Sequence, residues 1–134
     1  MMLALKITAA ALAVAVLAFL ASFHFAAAAQ PGCGGRSGQA SWYGAESGSR
    51  TATGAYFDGT SMTAAMLDRS LFGRRVRVTR EDKSGLLFGG SITVTVNDYG
   101  PAKRLHRIID LSRAAARRLG TEAAGTARVC VEPL

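Results

Sequence analysis

Polar and apolar residues alternate most regularly over Ser91–Asp98, where Ile92, Val94, Val96 and Asp98 take turns with Thr93, Thr95 and Asn97. A period of two predicts a half-buried β-strand, and Tyr99-Gly100-Pro101 ends it. Asp98 continues the apolar face at the strand's end, where a core opens to a mouth. A partly desolvated carboxylate in such a place is a candidate acid or base. The competing reading is a turn cap formed with Asn97.

The same reading runs along the rest of the chain. Gln39–Gly44 reads as a first strand carrying Trp42 and Tyr43, each a candidate to stack on a sugar face. Ala45–Ala65 is a long irregular stretch rich in Gly, Ser and Thr, of a length that in a small domain is functional or disordered. Met62–Leu67 fits one short helical turn. Leu71–Arg80 reads as a strand with Val76 and Val78 inward and Arg75, Arg77 and Thr79 outward. Glu81–Gly85 is a polar turn, and Leu86–Gly90 either extends the hairpin or forms an exposed flap. Arg107–Asp110 reads as a short strand, after a basic loop in which His106 is expected to be solvated. Ser112 is an N-cap for a helix over Arg113–Leu119 that Gly120 stops, and Ala127–Glu132 is a closing strand. The elements amount to one small domain, mainly all-β, with one or two short helices.

The N-terminus changes the picture of where the chain works. Lys6, the apolar run from Ile7 to Phe25 and then Ala26–Ala29 have the layout of a secretory signal with its cut after Ala29. An uncleaved anchor is the competing reading, because Ile7–Ala29 is long enough to span a bilayer. The division is then 1–29 signal peptide, 30–38 flexible glycine-rich lead and 39–134 folded domain. Of the 16 basic residues Lys6 leaves with the signal, so 15 face 9 acidic ones, a net charge of +6. Such a surplus suits a polyanionic partner. A secreted chain rarely meets nucleic acid, and the arginines form no single block, so nucleic acid is set aside. Cys33 and Cys130 stand near the two ends of the mature chain. In an oxidising compartment a disulfide is favoured, with lipid attachment at Cys33 and free thiols as the other options. Val129 and Val131 share one face of the last strand, so Cys130 is expected outside the core.

Several stretches together carry a resemblance: GQASWYG (Gln39–Gly44 with its flanking glycine), Thr51–Asp58, Met62-Thr63-Ala64-Ala65, Phe72–Val78, Val96-Asn97-Asp98-Tyr99-Gly100-Pro101, Ile109-Asp110-Leu111-Ser112 and Ala114–Gly120. In this order they resemble the rare lipoprotein A family over nearly all of Gln39–Leu134. The resemblance implies a six-stranded double-psi β-barrel. It also implies an envelope protein acting on peptidoglycan glycan strands as a lytic transglycosylase, periplasmic or secreted, with no cofactor, no metal and no stable membrane insertion after signal cleavage. Catalysis falls to Asp98 and Asp58, with Trp42, Tyr43, Tyr56, Asn97 and Tyr99 as candidate sugar-binding groups. The chain departs from the family in several places, among them a Met66–Leu71 region about one residue longer and a missing lipidation signal. Ala55 stands where many members have glutamate, Met66 where they have histidine and Tyr99 where arginine is usual, while Leu86–Gly90 looks like an insertion. These departures keep a second reading open, a non-catalytic peptidoglycan-binding barrel. An aspartate acting as the acid needs burial to hold its proton near neutrality, since its ordinary value is about 3.9.

Overall fold

The computed structural model describes residues 32–134. The expected signal peptide lies outside the described residues. Six strands close into a barrel: β1 (Arg36–Tyr43), β2 (Thr63–Ala65), β3 (Arg75–Glu81), β4 (Leu87–Asp98), β5 (Arg107–Ser112) and β6 (Ala127–Pro133). Around the barrel they run β1-β5-β2-β4-β3-β6, with β1–β5 and β2–β4 parallel and the other pairs antiparallel. No helix among the described residues is long and apolar enough to cross a membrane.

Inward positions follow the period-two pattern. Val76 and Val78 of β3, Val94 and Val96 of β4, Ile109 and Leu111 of β5, and Val129 and Val131 of β6 are all buried in one cluster. A helix, α1 (Arg113–Leu119), covers one side with Ala115, Ala116 and Leu119. Ser112 caps it as expected, accepting from the Ala115 N–H at 3.2 Å, and Gly120 ends it in the left-handed conformation with φ 78°.

Four expectations of local structure need correction. Thr63–Ala65, inside the stretch expected as a helical turn, is strand β2, held on both edges by β4 and β5. Two alanines carry little strand preference, and the neighbouring strands decide the outcome. Arg36–Gly38, expected as part of a flexible lead, belong to β1 and pair with β6. Gly35 just before them is a packing requirement, since a Cβ there would meet the Val131 carbonyl oxygen. Cys130 stands apart from the core cluster but is fully buried, because the segment carrying Cys33 lies over it. The two cysteines form a disulfide with a Cα–Cα distance of 5.5 Å.

The strand expected from Leu71 starts at Arg75, after a single 3-10 turn at Arg69–Leu71. Leu86–Gly90 extends the hairpin: Ser91 pairs with Thr79 and Phe88 with Arg80, so Gly89-Gly90 form a bulge in β4. Gly89 has φ 69°, a conformation that suits glycine.

Candidate functional site

Barrel order determines which chemistry meets. Ala65 of β2 is in register with Asp98 of β4 on one side and with Asp110 of β5 on the other. Asp110 is in register with Ser41 of β1 in turn. One row across four strands therefore reads Ser41, Asp110, Ala65, Asp98, and Ala65, between the two aspartates, is small enough to leave both carboxyl groups facing one cleft. That cleft holds about 340 Å³ and is lined by Tyr43, Arg50, Ala65, Asp98, Tyr99 and Asp110, among others.

The two aspartates are held differently. Asp98 Oδ1 accepts the N–H groups of Ala52 and Tyr99, each at 2.8 Å, and its Oδ2 accepts the Tyr43 hydroxyl at 3.1 Å. The loop supplying Ala52 is itself tied down, since the Thr53 N–H and hydroxyl both donate to the Asn97 carbonyl, at 3.3 and 3.0 Å. Asp110 Oδ1 accepts one hydrogen bond, from the Ser41 hydroxyl at 2.7 Å. Burial pushes the Asp110 carboxyl above the usual aspartate value and the nearby Asp98 charge adds to the rise, against the Ser41 hydrogen bond and Arg107. The Tyr43 phenol lies far above its usual range, through burial first and then the charge and hydrogen bond of Asp98. It stays a hydrogen-bond donor at any working pH.

The sequence-predicted residues divide. Asp98, Tyr43 and Tyr99 come together in the cleft. Tyr43 has no free ring face for a sugar on the side where Phe57 stacks on it, with centroids 4.6 Å apart. Tyr99 is open to solvent, with the Arg69 guanidinium over its ring at 4.6 Å. Trp42 alternates to the opposite face of β1, where its Nε1–H donates to the Glu122 carbonyl at 3.0 Å and its ring packs on the core. Asp58 does not line the cleft. It closes a local turn by accepting the Thr60 N–H at 2.9 Å and hydroxyl at 2.6 Å, and these bonds hold its carboxyl below the usual range. Tyr56 is 68% exposed and stands outside the lining, on the loop bridged at Arg50 and Tyr56. Asn97 contributes its carbonyl to the loop, while its side-chain Oδ1 is buried without a partner.

Two departures also have places. Ala55 is exposed on the loop that lies over Asp98, its carbonyl accepting the Thr51 N–H at 3.0 Å. Met66 is buried in the core cluster and lines a different cavity, with Leu71 and Val131. Asp110, Ser41 and Arg50 were not singled out by pattern. The available signal for Asp110 was the Ile109-Asp110-Leu111-Ser112 motif, where a carboxyl stands among buried neighbours. Among the described residues no group of three or more His, Cys, Asp or Glu is arranged to hold a metal ion.

Residues 36–131 match the model of the lytic transglycolase family. The endolytic peptidoglycan transglycosylase RlpA of Pseudomonas aeruginosa is 48% identical over 96 residues, covering 71% of this chain and 26% of that protein. Its Vibrio cholerae counterpart is 46% identical over 99 residues, covering 72% and 34%. The chain thus spans about a quarter to a third of the length of these curated relatives. Among solved structures, the Streptomyces papain inhibitor superposes with a TM-score of 0.57 at 22% identity, over 76% of this chain and 96% of that one, a likeness of fold alone. The chain belongs to the lytic transglycolase family, and its described part is an RlpA-like double-psi β-barrel.

Proposed function

We propose that the barrel acts in the cell envelope on peptidoglycan glycan strands, as a lytic transglycosylase with Asp110 as its acid and base. The observation that carries this reading is the pair of aspartates facing one cleft across Ala65, one of them raised by burial above the usual aspartate value. Protonated Asp110 gives its proton to the glycosidic oxygen, and the bond from that oxygen to C1 of N-acetylmuramic acid breaks. The sugar's own 6-hydroxyl attacks C1, and its proton returns to the Asp110 carboxylate. The ring closes as a 1,6-anhydro sugar and Asp110 ends as it began. Asp98, fixed by three donors, stabilises the positive charge that develops at C1. Arg50 and Tyr99 line the remaining wall and are proposed to hold the strand. Asp58, engaged in its own turn, has no part in this scheme.

The alternative is a barrel that binds glycan without cleaving it, and Ala55 favours it, since the loop over Asp98 brings no third carboxyl to the cleft. Incubation with purified glycan strands separates the two. Release of 1,6-anhydro ends by the wild type, abolished in Asp110→Asn with binding retained, supports the enzyme. Binding without release in the wild type, with release created by Ala55→Glu, supports the binding barrel.

A further inference from the structure

The β3–β4 hairpin and the start of β6 enclose a second concavity, of about 570 Å³. It lies at the opposite end of β4 from the aspartate cleft. Along β1 the two linings come as near as Gln39 and Tyr43, four residues or about 13 Å apart at the rise of an extended strand. Arg80, Glu81, Lys83, Phe88, Thr126 and Arg128 line it.

The charges here are unequally matched. Glu81 is only 5% exposed, yet its Oε1 accepts the Ser37 hydroxyl at 2.8 Å and its Oε2 meets the Arg128 Nε at 3.0 Å. That contact is off the line a hydrogen bond needs, so Oε2 has charge compensation without a donor. Asp82 is engaged in its turn, its Oδ1 accepting from the Ser84 N–H, the Ser84 hydroxyl and the Leu86 N–H. Among the described residues the ion pairs leave Arg80 and Lys83 without an acid.

Arg80 is also held in a definite plane. The bulge at Gly89-Gly90 brings Phe88 opposite Arg80, and the guanidinium lies over the ring at 4.8 Å from its centroid. Its Nε–H is closed off from water and has no acceptor. The outer N–H groups of this oriented guanidinium, at the wall of a cavity and with no acid paired to them, match the geometry of a carboxylate or phosphate. Phe88, 41% exposed, offers an apolar surface beside it, and Thr126 a hydroxyl.

We propose that this cavity is a second binding site, for an oxyanion, carboxylate or phosphate, carried on a larger molecule, with Arg80 as its anchor and Lys83 as the supporting charge. The site is independent of the reaction proposed for the aspartate cleft.

The test is nuclear magnetic resonance titration of the purified protein at fixed ionic strength, following the Arg80 Nε–Hε signal and the backbone amides of Lys83 and Arg128. The probes are inorganic phosphate, succinate and phosphatidylglycerol vesicles. Saturable shifts with phosphate or succinate, weakened at least tenfold by Arg80→Lys and lost in Arg80→Gln, support the site and identify the oxyanion. The same variant dependence with vesicles alone assigns the oxyanion to a lipid headgroup. No saturable shift in the wild type with any probe overturns the proposal, whatever the variants do. Saturable shifts left unchanged in both folded variants overturn it as well.

Discussion

At the scale of single residues, the account turns on two aspartates of different character. Asp98 was legible, because the alternation of β4 runs unbroken into it. Asp110 was not, because Ile108, Ile109, Leu111 and Ser112 are all buried and a strand covered on both faces has no polar side to read. The raised Asp110 value has a consequence for stability. Between the ordinary aspartate value and the raised one, the native protein holds a proton that the unfolded chain has released. The Asp110 contribution to stability is therefore fully present below the ordinary value and is lost as pH rises through the raised one. Asp58, Asp68 and Asp82, lowered by their local hydrogen bonds, act with the opposite sign: their contribution is lost as pH falls through their lowered values. Denaturant unfolding of wild type and Asp110→Asn across acid to neutral pH isolates the first effect. The variant's stability is expected to gain on the wild type's as pH rises. Tyr43→Phe deletes one donor to Asp98 without emptying the ring's place against Phe57. It is expected to cost about 0.5–1.5 kcal/mol in the same assay and to slow glycan cleavage.

At the scale of elements, strands with long alternation and the capped helix were readable, while β2 was not. Its three residues carry no period, and their conformation comes from β4 and β5 on either side. The cap of α1 does two tasks, since the Ser112 hydroxyl accepts from Ala115 and donates to the Ser61 carbonyl at 2.6 Å. Ser112→Ala is expected to destabilise by about 1–2 kcal/mol in thermal or urea unfolding, because it also orphans the Ser61 carbonyl. The residue after β2 decides how the family's missing histidine is to be understood. Met66→His buries an imidazole in an apolar cluster and is expected to lose about 2 kcal/mol or more, with no gain in activity. Ala55→Glu is the informative change, because Ala55 is exposed on the loop over Asp98.

At the scale of the whole molecule, the order of strands around the barrel was not readable from alternation. Period two says which face is buried but not which strand is the neighbour, and the parallel pairs β1–β5 and β2–β4 join segments far apart in sequence. The resemblance of motifs implied a six-stranded double-psi barrel, and the structure gives the order. The disulfide was favoured from cysteine count and compartment, and it closes a loop of 97 residues. Chain entropy for such a loop gives about 4–5 kcal/mol, and roughly 2–4 is expected once residual structure in the unfolded chain is considered. Reduction should lower the melting temperature by on the order of 10–20 °C in calorimetry. The central claim is that the cleft between Asp98 and Asp110 cleaves glycan by intramolecular ring closure. Its most direct test is mass spectrometry of purified glycan strands after incubation with wild type and Asp110→Asn. The account predicts 1,6-anhydro-N-acetylmuramic ends from the wild type, at a rate that falls as pH rises through the Asp110 value, and none from the variant. Reducing ends in place of anhydro ends, or equal release by the two proteins, would contradict it.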